Sequence, residues 1–255
     1  LQIEFAIKGG LMKLLTSTPG KIYIYINDTD QDTAFAVWLL LNYKKIERAA
    51  SIPSINRLLT LTNRWDITGG AYPMNLDDDI VKTHAWVFQP YTDLRKSGAL
   101  AVADENGMRD NLEASLGRLD KYLMGDAGQK ELDTRHEILF DSPHFKIVDE
   151  IGGSEARYWL YNNTNMDAFI SIVARRPDGR LVCSIGRRSA YEPFPLLPLY
   201  MDLTEADDLP PSAKGWGGSD TIGGSDREFG TAHTVDSLRD VAMKRLRKDG
   251  LILTA

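Results

Sequence analysis

The sequence predicts an α/β protein, with an N-terminal parallel-sheet βα domain and a smaller mixed α+β C-terminal domain. Three observations favour this class. A strand-like run leads through a polar loop into a helix-like run over residues 21–43. An amphipathic pattern covers Asp110–Met124, and after Gly125 short apolar runs alternate with turn residues. The length of 255 residues fits one or two domains.

The elements of the first half follow from local patterns. Lys21–Ile26 alternates β-branched and aromatic residues, which predicts a strand. Thr33–Tyr43 is densely apolar and ends near basic residues, so it predicts a helix that Asp32 or Thr33 can cap. The other expected elements are a helix over Ile55–Trp65 that stops before Gly69-Gly70, a strand over His84–Phe88 and a helix over Asp110–Met124 that stops at Gly125.

The pattern of the second half of the chain predicts a β-rich domain. Ala168–Val173 and Leu181–Ile185 flank Pro177-Asp-Gly179, which is the strongest hairpin signal in the chain. Tyr158–Tyr161 resembles a further strand, and Val235–Lys248 a final helix that ends near Gly250. These patterns predict a first domain over residues 1–125, a linker over 126–143 and a second domain over 144–255.

Composition narrows the functional classes. A net charge of −6 argues against broad non-specific nucleic-acid binding. The longest apolar run, Ala34–Leu41, is less than half of the roughly 20 residues that a membrane span needs, so no membrane association is expected. Cys183 has no partner within the chain and no secretory start is evident, which favours a reducing, cytoplasmic setting. The sequence leaves the oligomeric state open, with a homodimer among the alternatives.

Asp28, Asp30 and Asp32 alternate directly after the predicted first strand. Carboxylates at that place lie at the strand's C-terminal end, where α/β proteins bind ligands. Crowded carboxylates repel one another unless a cation or hydrogen-bond donors neutralise them. The alternative is a solvated turn in which one Asp caps the following helix.

The segment Gly215–Ser225 contains two glycine pairs with hydroxyl residues between and beside them. Such a loop can hold a phosphate through its amide groups, although it matches neither a Walker loop nor a dinucleotide fingerprint. The alternative is a flexible surface loop. For a phosphate cradle, Ala at Gly223 or Gly224 should weaken ligand binding more than folding. The candidate substrate-binding residues here are Gly217, Gly218, Ser219, Thr221, Gly223, Gly224 and Ser225.

Two shorter segments pair a guanidinium with a small hydroxyl residue. Arg95 and Ser97 lie in the first, and Arg187 and Arg188 lie in the second, Gly186-Arg-Arg-Ser189. Guanidinium groups can bind phosphate oxygens, but an ordinary solvated charge is the alternative at each place.

Together these segments resemble the DHH phosphoesterase superfamily, and most closely its melanocyte-proliferating-gene nuclease branch. Asp30-Gln-Asp32-Thr-Ala34 resembles that branch's His-Cys-Asp-Glu-Ala motif, and the Asp30/Asp32 pair fits the Asp-x-Asp of the wider superfamily. Arg95-Lys-Ser-Gly-Ala-Leu100 resembles its Lys-Leu-Ser-Ser-Ala-Gly-Leu segment. Gly215–Ser225 resembles the glycine-rich motif of the DHH-associated C-terminal domain.

The resemblance implies a metal-dependent phosphoesterase that acts on nucleotides or short nucleic-acid ends. Asp30 and Asp32 would be catalytic and would hold Mn²⁺ or Mg²⁺, with Asp28, Asp66 and His84 as further candidate ligands. Asp66 can equally belong to a helix C-terminal turn, and His84 can be a structural residue. The superfamily's Asp-His-His motif is missing, because no two His are adjacent. The alternative function is therefore an inactive DHH-like module that binds a nucleotide or phosphorylated ligand.

Overall fold

The computed structural model describes residues 2–10, 17, 20–49, 52–68 and 74–252. The protein is mixed α/β, as the sequence predicts. It forms two compact units, each assembled from three segments of the chain. Unit 1 comprises Leu1–Asp66, Asp77–Leu94 and Ala103–Glu131, and unit 2 comprises Ile67–Leu76, Arg95–Val102 and Leu132–Ala255.

The described part of unit 1 is helical. Its core includes Phe35, Trp38, Leu58, Phe88 and Leu119, which are all fully buried. The helices that begin in this unit are α1 (Gln2–Lys8), α2 (Gln31–Leu41), α3 (Tyr43–Arg48), α4 (Pro53–Thr68), α5 (Asp79–Val87), α6 (Gln89–Lys96) and α7 (Glu105–Met124). The helices predicted over 33–43, 55–65 and 110–124 are thereby confirmed, while Gly69-Gly70 lies outside the described residues.

The parallel sheet predicted for the first half is wrong, because the described residues of unit 1 contain no strand. Lys21–Ile26 has strand-like side chains, but no described residue forms a ladder with it, and local propensity alone cannot make a sheet. His84–Phe88 lies in and just after α5. There Val81, His84 and Phe88 are buried at helical spacing, and the Asp78 carboxylate caps the helix by accepting from the Ile80 amide at 3.1 Å.

Unit 2 is built on a six-stranded mixed sheet in the order β1-β2-β3-β4-β6-β5. Only β2 and β3 run parallel among these neighbours, and the other pairs are antiparallel. The predicted hairpin around Pro177-Asp-Gly179 is confirmed. The strands are β1 (Glu137–Asp141), β2 (Lys146–Asp149), β3 (Ala168–Arg175), β4 (Leu181–Arg187), β5 (Gly217–Gly218) and β6 (Ile222–Gly224).

Helices cover both faces of this sheet. One face packs against α9 (Leu196–Glu205) and α10 (Val235–Lys248), whose bounds match the predicted last helix. The other face packs against α8 (Ser154–Asn163) through Leu160 and Tyr161. The strand predicted over Tyr158–Tyr161 is therefore wrong. A parallel pair such as β2 and β3 needs a crossover connection, and α8 supplies it.

The segment that follows α7 is fixed to unit 1. The Lys130 amide donates to the Lys82 carbonyl at 3.2 Å, and the Lys82 ammonium pairs with Glu131 at 3.0 Å. Gly128 lies against the Trp86 ring, where a Cβ would come within 2.6 Å of the indole nitrogen. None of the helices in the described ranges has the length and apolar character that a bilayer crossing requires.

Candidate functional site

The acidic segment before α2 is anchored at its beginning by buried contacts. Asp28 is buried, and its carboxylate accepts hydrogen bonds from the Thr29 amide at 2.7 Å and the Tyr91 hydroxyl at 3.5 Å. The buried Thr29 hydroxyl donates to the Asn111 side-chain oxygen in α7 at 3.1 Å. Asp28, which the sequence suggests as a metal ligand, is thus held among protein donors and fixes where the segment enters α2.

Asp30 and Asp32 lie at the N-terminus of α2. Asp30 is the N-cap, and its carboxylate accepts from the Thr33 amide at 3.3 Å. The predicted cap, Asp32 or Thr33, is therefore wrong by two or three residues. The cap position leaves Asp32 in the first helical turn, where the partial positive charge of the helix end favours a negative group.

The structure brings Asp66, near the end of α4, into electrostatic contact with this pair. The pKa of Asp32 is raised from 3.8 to about 7. The largest cause is partial loss of hydration, although the Asp32 side chain lies at the surface. The charges of Asp30 and Asp66 raise the pKa further, and so does a hydrogen bond with Asp30. The pKa of Asp66 is also raised, by loss of hydration and then by the charge of Asp30.

The raised pKa values of Asp32 and Asp66 indicate crowded negative charge, which a bound cation could neutralise in place of a proton. Mg²⁺ commonly binds through one or two carboxylates and completes its shell with water and substrate phosphate. Asp30 and Asp32 fit that donor set, with Asp66 as a nearby third charge. In the described ranges, no group of three or more His, Cys, Asp or Glu side chains is arranged to hold a metal ion.

His84 lies in a different environment. It is buried, its Nε2 is 3.2 Å from the Thr62 hydroxyl, and its ring packs 4.9 Å from Phe88 and 5.7 Å from Trp65. Burial lowers its pKa to about 3, so the imidazole is neutral. These contacts are those of a core residue, the alternative that the sequence leaves open.

The glycine-rich segment of unit 2 is a β-hairpin. Its strands β5 and β6 pair with each other, and β6 pairs with β4, where Gly224 lies opposite Ser184. The Tyr200 hydroxyl of α9 donates to the Ser219 carbonyl at 3.0 Å and holds the hairpin turn. The segment is therefore an integral edge of the sheet and not a flexible surface loop.

Three of the glycines are required by close packing within the protein. A Cβ at Gly218 would lie 2.4 Å from the Gly223 Cα, and one at Gly223 would lie 2.3 Å from both the Gly217 carbonyl oxygen and the Tyr200 hydroxyl. A Cβ at Gly224 would lie 2.4 Å from the Cys183 carbonyl oxygen. By contrast, Gly217 has open space at this position.

Many polar groups of the hairpin bond to the hairpin itself. The Ser219 hydroxyl accepts from the amides of Thr221 and Ile222, and the Ser219 amide donates to the Ile222 carbonyl. The buried Ser225 hydroxyl accepts from the Cys183 amide at 3.0 Å. These amides therefore donate within the turn or from the neighbouring strand β4.

The arginines near the hairpin bind backbone carbonyls. Arg187 donates to the carbonyls of Asp220 at 2.6 Å and Glu192 at 2.9 Å. Arg188 donates to the Tyr161 carbonyl at 3.2 Å and pairs with Asp167 at 3.3 Å. Both side chains thus connect the hairpin and neighbouring loops to the body of unit 2.

The Arg95 segment also lies in unit 2. The Arg95 guanidinium donates to the Ser184 hydroxyl of β4 at 3.0 Å. Ser97 is exposed, and its hydroxyl accepts from the Ala99 amide at 3.4 Å. Arg95 therefore contacts β4, Arg187 is the last residue of β4, and the glycine hairpin pairs with β4, so the structure groups these predicted substrate residues at one strand.

The sequence did not indicate the residues that fix these candidate sites. Thr29 and Asn111 hold the acidic segment, and they are 82 residues apart in the chain. Tyr200 holds the glycine hairpin across 19 residues. Neither pair belongs to a local motif, so only the folded chain reveals them.

Comparison of the chain with models of protein families, with curated proteins and with solved structures gives no match.

Proposed function

We propose that the protein is a metal-dependent phosphoesterase that acts on nucleotides or short nucleic-acid ends. The observation that carries the proposal is the group formed by Asp30, Asp32 and Asp66, in which Asp32 has a pKa of about 7. The substrate class comes from the resemblance of the Asp30–Ala34, Arg95–Leu100 and Gly215–Ser225 segments to the DHH superfamily.

In this proposal Asp30 and Asp32 hold Mn²⁺ or Mg²⁺. When bound, such a cation polarises a phosphoryl oxygen and lowers the pKa of an attacking water. Asp32 gives up its proton to become a ligand, and Asp66 adds negative charge that favours the cation. The Thr29–Asn111 bond and the buried Asp28 fix the segment, so the two carboxylates stay in place.

Turnover is the direct test. The purified protein should hydrolyse p-nitrophenyl phosphodiesters, dinucleotides or short RNA in the presence of Mn²⁺. Asp32→Asn should abolish the activity, because an amide cannot replace an anionic ligand. Asp110→Asn, at an exposed carboxylate of α7, is the matched control and should keep it. Absence of turnover on all three substrate types would refute the proposal.

Metal binding can be tested without turnover. Mn²⁺ at a hundredfold excess over its Kd should stabilise the folded state by ~2.7 kcal/mol, and hence raise the Tm by several degrees. The shift should disappear in Asp32→Asn and remain in Asp110→Asn. It should also be smaller at pH 6 than at pH 8, because protons compete for Asp32 below its pKa of about 7. A shift that is equal in wild type and Asp32→Asn would place the metal elsewhere.

The second candidate function is a DHH-like module without catalysis that binds a nucleotide or phosphorylated ligand. Its support is the missing Asp-His-His motif of the superfamily, because no two His are adjacent in the sequence. Calorimetric titration with a nucleoside monophosphate in EDTA distinguishes the two. Binding that needs no metal, together with no turnover, would support the module.

A further inference from the structure

A buried hydrogen bond from α7 holds the chain immediately before the proposed metal ligands. The Thr29 hydroxyl donates to the Asn111 side-chain oxygen at 3.1 Å, and both residues are buried. The same hydroxyl lies 3.9 Å from the sulfur of Met108, which comes earlier in α7. Breaking a buried hydrogen bond leaves a polar group unpaired, so this contact resists displacement. The side chain of Thr29 is thereby fixed one residue before Asp30.

The chain is fixed on the other side of Asp30 as well. The Asp30 carbonyl accepts from the Ala34 amide at 2.8 Å, and the Asp30 carboxylate accepts from the Thr33 amide. Both bonds belong to the first turn of α2, which also contains Asp32. The two carboxylates therefore start from an ordered backbone. A group that is already ordered loses less conformational entropy when it binds, and this raises affinity.

We propose that Asn111 is a positioning residue of the metal site. Its side-chain oxygen holds the Thr29 hydroxyl, and Thr29 in turn keeps Asp30 and Asp32 in place for a divalent cation. Asn111 acts through Thr29 and is not itself a ligand. This inference rests on the proposed function and adds to it a residue from a different helix.

A second bond between the same parts of unit 1 offers a comparison. The buried Trp38, further along α2, donates from its indole nitrogen to the Asp120 carboxylate of α7 at 2.9 Å. Both bonds join residues that are 82 positions apart, so the chain entropy lost by closing each loop is similar. If Asn111 only attached α2 to α7, loss of either bond should have the same effect. A positioning role requires that only the Thr29 bond affects metal binding.

Calorimetric titration of the full chain with Mn²⁺ tests this difference, at a temperature where circular dichroism shows every variant to be folded. Thr29→Val removes the hydroxyl but keeps the branched shape. It should raise the Kd for Mn²⁺ by about tenfold, near the lower limit of what loss of a supporting partner costs a metal site. Thr29→Ser keeps the hydroxyl and should keep the wild-type Kd. Asp120→Ala leaves the Trp38 indole unpaired, so it should lower the Tm without changing the Kd.

A double variant tests whether Asn111 acts through Thr29. Asn111→Ala alone should also raise the Kd, and Thr29→Val/Asn111→Ala should bind no more weakly than the weaker single variant, because both changes remove one bond. An unchanged Kd in Thr29→Val, an equal loss in Asp120→Ala, or additive effects in the double variant would overturn the role of Asn111 and leave the proposed function standing. A wild type that binds no Mn²⁺ would overturn the proposed function, and this inference with it.

Discussion

The carboxylates of Asp28, Asp30 and Asp32 in unit 1 have different roles because their surroundings differ. Asp28 is buried among donors, Asp30 caps α2, and loss of hydration together with the charges of Asp30 and Asp66 raises the pKa of Asp32 to about 7. The sequence could indicate an acidic cluster, because the three residues are adjacent in the chain. It could not assign these roles, since they depend on Tyr91 and Asp66, which the fold brings close from other segments.

The raised pKa of Asp32 makes a prediction about stability and pH. The unfolded carboxyl loses its proton near pH 3.8, and the folded one keeps it until about pH 7. Between these values the folded state binds more protons, so this group's contribution to the free energy of unfolding falls as pH rises. Asp32→Asn removes the contribution. In EDTA, the variant should therefore gain stability relative to wild type as pH increases from 4.5 to 7.5, modestly because Asp32 is at the surface.

Urea unfolding at several pH values measures this difference. Asp110→Asn should follow the wild-type curve, because its carboxylate is exposed and lies on α7. If the free energy of unfolding of Asp32→Asn changed with pH in parallel with that of the wild type over the whole range, Asp32 would be an ordinary solvated carboxylate. That outcome would also remove the electrostatic support for the metal site.

At the scale of secondary-structure elements, the sequence correctly predicts the helices and strands whose local pattern agrees with their tertiary surroundings. Val235–Lys248 and the hairpin around Pro177-Asp-Gly179 are of this kind, since cap, periodicity and turn all agree. Tyr158–Tyr161 and His84–Phe88 have β-type residues but lie in or beside helices. At Tyr158–Tyr161, the need for a crossover between the parallel strands β2 and β3 outweighs the β-propensity of the residues. At His84–Phe88, burial at helical spacing outweighs it.

The glycine hairpin gives a prediction that reverses the expectation from sequence. Gly224→Ala places a Cβ 2.4 Å from the Cys183 carbonyl oxygen, so it must displace β6 from β4. We expect a loss of stability of about 1–3 kcal/mol, the cost of overpacking, before any ligand is added. Binding and folding should therefore be lost together, rather than binding first.

Gly217→Ala is the matched control on the other strand of the hairpin. Its Cβ meets open space, so the substitution should be neutral or stabilising by up to ~1 kcal/mol. Thermal unfolding of both variants gives the comparison. Equal stability of Gly224→Ala and wild type would mean that the hairpin does not pack against β4 as described.

At the scale of the whole molecule, the two units are not consecutive in sequence. Composition suggests a division at residues 126–143, but unit 2 includes Ile67–Leu76 and Arg95–Val102 from the first half. These short segments have no compositional signature. Their membership follows only from contacts such as the Lys96 ammonium with the Gly152 carbonyl at 3.0 Å and with Asp133 at 3.5 Å.

This organisation predicts how fragments behave. A fragment of residues 132–255 lacks the Arg95 contact with Ser184 and the two Lys96 contacts. It also lacks Met74, a buried residue whose carbonyl accepts a hydrogen bond from Asn162. A fragment of residues 67–255 keeps all of them. Because truncation leaves buried partners exposed or unpaired, we expect the shorter fragment to unfold at lower urea, with the fluorescence of the buried Trp216 as the probe. Equal midpoints for the two fragments would mean that both early segments contribute nothing to the stability of unit 2, and that residues 132–255 fold as a domain by themselves.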